Sequence, residues 1–326
     1  MSDEKQRACA PFRTMIGGQA LIEGIMMLGP EKKAVVVRRP DGGLEEQVED
    51  RVLIKDRHPI LGTPFIRGVF NFGSSLANGV KALMFSAEFY PEDEEADETP
   101  SKFETWLEEK LGSEKVYSLI ITLAMVLGLA FSIGLFILLP TAVVGALAWL
   151  AGEMPMWCRN LLEGVMRVII FTGYLILCSK TKDMHRVFQY HGAEHKTIFC
   201  YEAGLPLTVE NVRKQPRHHP RCGTSFLFVV IVVSILISSV FFSFVELTNV
   251  FARMAAHLVL LPVVVSITYE INRWMGAHDN LLSRVFTAPG LWLQNWTTFE
   301  PDDSMIEVGI RSLELVLPSQ KGKDAW

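Results

Sequence analysis

The chain has 326 residues, 49% of them hydrophobic and 21% charged, with a formal net charge of -5. This apolar share exceeds that of an ordinary soluble protein, while the charge exceeds that of a bundle of spans, so a membrane protein with substantial aqueous parts is predicted. The net charge gives no general pull toward nucleic acid, and the odd, scattered set of five cysteines argues for reduced thiols rather than a secreted disulfide framework.

The first residues, MSDEKQRACAPFR, carry charges of both signs and no apolar signal-peptide core, so insertion is expected from internal spans. From Gly17 the sequence runs GGQALIEGIMMLGP, whose paired glycines imply unusual backbone or a close approach. Glu23 is the one charged side chain in that run; it should be structurally paired or belong to a site. KKAVVVRRPDGGLEEQVEDRVLI then predicts a β-hairpin turning at Pro40 to Gly43. Thr63 and Pro64 are placed as N-cap and N1 of an apolar helix. Its Arg67, Asn71, Asn78 and Lys81 argue against a span and place it at a membrane interface or under the hairpin. Residues 1–90 are thus read as an N-terminal cytoplasmic segment and the acidic run 91–100 as a linker. Ser101 and Glu104 have capping-box spacing ahead of a short amphipathic helix with Trp106 at the membrane surface.

The membrane domain is set at 101–271, with four spans near 116–139, 161–178, 226–245 and 251–271. Pro140 should end the first, leaving 141–151 too short to cross alone, so that it either prolongs a bent span or lies at the far surface. Glu163 and Arg167 lie four apart on one helical face, suited to a structural pair or to an ion or substrate path. The loop 179–225 carries eight Lys and Arg residues, against Arg159 alone in 153–160 and none in 246–249. The positive-inside rule therefore puts both termini and this loop in the cytoplasm. The tail, 272–326, should form two helices, with Trp274, Trp292 and Trp296 at the interface and Pro301 at N1 of the last. Ile306, Ile310 and Leu313 would pack that helix on the N-terminal hairpin. No internal repeat is evident, which weakens an inverted-repeat transporter. The predicted fold is mainly α: a polytopic helical membrane protein of about four spans, with a small α+β cytoplasmic portion.

Chemistry concentrates between Met184 and Phe226, where five of the eight histidines fall. His191, Glu194 and His195 match the inverted zincin pattern H-x-x-E-H: histidines four apart reach one metal, and the carboxylate activates its water. Gly192 costs about 1 kcal/mol inside such a helix. A catalytic zinc site needs a third ligand, for which Glu202, Cys222, His219 and the distant Glu23 qualify. Cys222 is attractive because Pro220 and Gly223 shape a turn that can aim a thiolate inward. The competing reading is a basic surface for anionic head groups.

The motifs GGQALIEGIMMLGP, HGAEHKTI, HPRCGTSF and TAPGLWLQ, in that order, resemble the YqhQ-like family of bacterial membrane proteins, over about residues 17–315. Leu28 stands where that family commonly has an arginine. The resemblance implies a membrane architecture and a metal-dependent protein without naming a reaction. The expectation is an inner-membrane protein with a divalent-metal site, zinc being the expected ion, at the cytoplasmic membrane boundary. It would be a hydrolase of a lipid or membrane-embedded peptide with Glu194 as base. The alternative is a noncatalytic scaffold or a small-solute or lipid transporter with a structural histidine cluster.

Overall fold

A computed structural model describes residues 12–52, 58–90, 113–152, 154–245, 247, 249–320 and 322–325. Near the N-terminus, β1 (Gly17–Leu21), β2 (Gly24–Leu28), β3 (Lys32–Arg38) and β4 (Leu44–Asp50) form an antiparallel meander in sequence order. The predicted hairpin is the β3–β4 half, with Ala34 opposite Val48 and Arg38 opposite Leu44. The glycine-rich run supplies the other half, Gly17 pairing with Leu28 across a tight turn at Glu23, whose φ is 48°. That turn was hidden because a non-glycine residue adopts the left-handed region there.

Ten α-helices follow among the described residues: α1 (Ile66–Ala87), α2 (Ser113–Ile133), α3 (Leu139–Ala151), α4 (Met156–Cys178), α5 (Lys182–Glu202), α6 (Val209–Arg213), α7 (Gly223–Phe244), α8 (Val250–Ala277), α9 (Leu281–Thr297) and α10 (Asp303–Glu314). Four segments are long and apolar enough to cross a membrane: Thr122–Ala151, Met156–Cys178, Gly223–Phe244 and Phe251–Ala277. The architecture is the predicted one, mainly helical with four such helices. The acidic run 91–100 and the short helix with Trp106 lie outside the described residues.

Several boundaries differ from expectation for local reasons. Pro140 does not end the first span, because a π-helical turn, Gly134–Leu138, joins α2 to α3. A wider turn accommodates the missing N–H of proline, and Thr141 Oγ1 donates to the Ile137 carbonyl at 3.0 Å. α1 begins at Ile66 rather than at Pro64, after Phe65 at φ 68°, while Thr63 follows a 3-10 turn, Pro59–Gly62. At the last helix Asp302 is the N-cap, accepting from the Met305 N–H at 3.0 Å, so Pro301 lies before the cap rather than at N1. The stretch read as a loop, 179–225, is mostly α5 and α6.

The chain divides into two units. One comprises 1–90, 172–234 and 261–326. Its core is one face of the sheet, where Ile25, Met27, Ala34 and Val36 meet Tyr190 and Ala193 of α5 and Met305, Val308 and Leu313 of α10. Leu313 thus packs on the sheet as predicted, whereas Ile306 and Ile310 pack with Cys200 and Val212. On the other face, Leu21, Met26, Val35 and Val37 are covered by Ala82 and Phe85 of α1. Arg67 of α1 pairs with Glu270, and Asn71 donates to Tyr269 Oη at 2.8 Å. The second unit comprises 91–171 and 235–260. Within it Glu163 contacts Arg167 at 3.6 Å, but also Arg159, Arg253 and His257. The expected pair is one edge of a larger buried network.

Candidate metal centre

α5 is amphipathic in an unusual sense: its second half, from Tyr190 to Glu202, is buried almost throughout although it holds His195, Lys196, Glu194 and Glu202. Apolar Tyr190, Ala193 and Ile198 face the sheet, so the polar positions between them are carried into the interior. Gly192 is the point of closest approach. A Cβ there would collide with the carbonyl oxygen of Phe299, whose N–H donates to Phe188 of α5 at 2.9 Å. The loss of helix propensity at Gly192 therefore lets residues 297–301 lie against the helix.

His191 and His195, one turn apart, have ring centroids 4.4 Å from each other. Each Nδ1 meets a backbone carbonyl: Thr297 at 2.7 Å for His191 and Arg217 at 2.6 Å for His195. A carbonyl only accepts, so each Nδ1 carries a proton, and in the neutral ring the lone pair then lies on Nε2. His191 Nε2 lies 3.1 Å from Cys222 Sγ. One ligand atom from each of His191, His195 and Cys222 can be chosen so that all lie within 4.8 Å of one another. Tetrahedral zinc with bonds of about 2.0–2.3 Å needs donor separations of about 3.3–3.6 Å, a spacing reached by small side-chain adjustments.

Electrostatics suit the same atoms. Burial holds His195 neutral, its pKa pushed down to about 4, which keeps it in the ligating form. Burial opposes ionisation of Cys222, but its contact with the His195 ring and the hydrogen bonds from Thr224 outweigh it and bring the thiol below its usual range. Thr224 approaches Sγ through N–H at 3.5 Å and Oγ1 at 3.4 Å, and Cys222 immediately precedes α7, where the helix dipole favours an anion. Glu194 is buried, and desolvation raises its pKa to about 7 against the opposing influence of His191. The Gly18 N–H donates to Glu194 Oε1 at 2.9 Å. A Cβ at Gly18 would come within 3.1 Å of Glu194 Cδ and 2.6 Å of the Met26 carbonyl oxygen, which explains the second glycine of the first motif, whereas a Cβ at Gly17 would meet nothing within 4 Å.

The other residues singled out take different places. Glu202 accepts from the Thr14 N–H at 2.8 Å and is paired with Arg221, with His219 Nε2 at 3.8 Å. Burial raises its pKa, but His219 and Arg221 outweigh that and hold it below the ordinary range. Its carboxylate therefore braces the turn leading to Cys222. His219 is held through its backbone, its N–H donating to Gln294 Oε1 at 2.7 Å and its carbonyl accepting from Nε2 at 2.8 Å. Glu23 pairs with Arg186 and accepts from Tyr190 Oη at 3.1 Å, tying the β1–β2 turn to α5. Thr297, Arg217, Gln294 and Thr224 had not been singled out. The motif TAPGLWLQ, followed by NWT, contained Gln294 and ran up to Thr297, but backbone acceptors leave no signature in residue type.

Residues 63–319 match the model of a family described as "Protein of unknown function (DUF1385)". The chain is 36% identical over 306 residues, 92% of each chain, to "Uncharacterized protein YqhQ" of Bacillus subtilis (strain 168). No solved structure matches. With most of its length matched by the family model and by this relative, the chain belongs to the DUF1385, YqhQ-like family.

Proposed function

We propose that His191, His195 and Cys222 hold one divalent cation, with zinc favoured by two imidazoles and a thiolate, in a membrane protein of the bacterial inner membrane. The observation that carries this reading is the double tethering of Nδ1 to backbone carbonyls, which leaves Nε2 of each ring for ligation, in a trio whose ligand atoms lie within 4.8 Å of one another. Carbonyl-oriented histidine is the common outer-shell arrangement of metal sites. The ion would supply Lewis acidity and an acidified water. Glu194, buried beside His195 with a pKa near 7, has the basicity of a group that takes up a proton at neutral pH. Hydrolysis of a lipid head group or a membrane-embedded peptide is the chemistry we assign, with the site at the cytoplasmic membrane boundary.

A structural ion in a scaffold or transporter is the second reading, supported by the burial of His195 and Cys222. Glu194→Gln separates the two. Metal retained with activity reduced by about 10²–10⁴-fold supports a catalytic base. Metal retained with activity unchanged supports the structural ion. Metal content of the detergent-purified protein tests the site itself: the His191→Ala/His195→Ala variant should lose the ion that the parent retains, and equal, negligible metal in both would overturn the proposal.

A further inference from the structure

The second unit contains a buried polar cluster that the metal centre does not use. Arg253 of α8, fully buried, donates from Nε to Glu163 Oε1 at 2.8 Å, also contacts Asn160, and lies over the Phe242 ring with Cζ 4.0 Å from the centroid. His257 Nε2 is 3.2 Å from Glu163 Oε2 and 3.1 Å from Arg167 Nη2, while Ser238 Oγ is 3.2 Å from its Nδ1. Arg159 Nε and Arg167 Nη2 each stand 3.6 Å from the same carboxylate. Three guanidinium groups therefore face Glu163, and among the described residues no other carboxylate pairs with them. Arg does not deprotonate, and unbalanced charge in helices of this hydropathy is costly. Arg159 shows the deficit most clearly, since its Nε and Nη2 are buried without a hydrogen-bond partner among the described residues.

Two further observations indicate what supplies the missing anion. Trp157, 69% exposed, stands two residues before Arg159, as expected for a side chain at head-group depth. Beside the cluster, Leu236, Val240 and Phe244 of α7 and Leu260 of α8 line an open, apolar groove of about 430 Å³. On α7 the cluster-facing Ser238 and Phe242 are one turn apart, and the groove-lining Ile237 and Phe241 lie roughly a quarter turn around the same helix. Cationic cluster and apolar groove are thus adjacent faces of one helix, the arrangement an amphiphile with an anionic head requires.

We propose that this unit binds an anionic phospholipid, its phosphate on Arg159 and an acyl chain along the α7–α8 groove. The test is thermal unfolding of the full chain in detergent with added phosphatidylglycerol or phosphatidylcholine of matched chains. Phosphatidylglycerol should raise Tm by about 5 °C more at saturating lipid, and Arg159→Gln should abolish that preference. Val240→Trp, which fills the groove at an exposed position and keeps the arginines, should also reduce it. Lys180→Gln/Lys182→Gln, which lowers the charge of the basic stretch near α5, should leave it intact. No preference in the parent protein, a preference unchanged in Arg159→Gln, or equal stabilisation by inorganic phosphate alone would each overturn the proposal.

Discussion

Glu202 and Glu194 show how two buried carboxylates on one helix acquire different tasks from their neighbours. Glu202 meets Arg221 and the Thr14 N–H, and its pKa is held below the ordinary value of 4.5. A depressed carboxyl contributes stability above its unfolded pKa, and that contribution is lost as pH falls through the lower folded value. Glu202→Gln should therefore flatten acid unfolding below about pH 4.5 and cost about 3–5 kcal/mol at neutral pH, read by denaturant titration at several pH values. An unchanged acid limb would show that the Glu202–Arg221 pair does not form. The cysteines divide in the same way. Burial pushes Cys200 up to about 11, whereas Cys222 is drawn down. Alkylation of the native protein at pH 8 should spare Cys200, and its modification before unfolding would contradict the burial described here. Of the proposed site, His191, Glu194 and His195 were singled out by their spacing and Cys222 by the turn residues around it. The choice of Cys222 over Glu202 was not legible in the sequence, because it depends on Arg221 claiming the carboxylate.

At the scale of elements, glycine marks the places where segments touch. Alanine is better than glycine in a helix by about 1 kcal/mol, yet Gly192→Ala places a Cβ into the Phe299 carbonyl. The variant should be destabilised by about 1–3 kcal/mol, as for other overpacked sites, and should lose metal because Thr297 is displaced from His191. A more stable Gly192→Ala would contradict the packing of 297–301 on α5. Pro140 carries the reverse lesson. Its sequence signature is that of a terminator, but the π turn over 134–138 absorbs it. Hydropathy located all four helices long and apolar enough to cross a membrane, since a run of about 20 apolar residues is a strong signal. It could not show the β1–β2 hairpin, whose strands are glycine-rich and whose turn uses Glu23.

For the whole molecule, four helices are long and apolar enough to cross a membrane, and we propose an even topology in which the cations of 179–225 keep that stretch in the cytoplasm. Lys180→Cys, at an exposed position, should react with an impermeant maleimide only after cells are permeabilised; labelling of intact cells would reverse the orientation. The central claim concerns the ion, and cobalt loading of the detergent-purified full chain tests it most directly. One cobalt per chain should bind with a thiolate-to-metal charge-transfer absorption that disappears in Cys222→Ser and persists in Glu202→Gln. Cobalt bound without that absorption, or an absorption surviving in Cys222→Ser, would contradict a centre built from His191, His195 and Cys222.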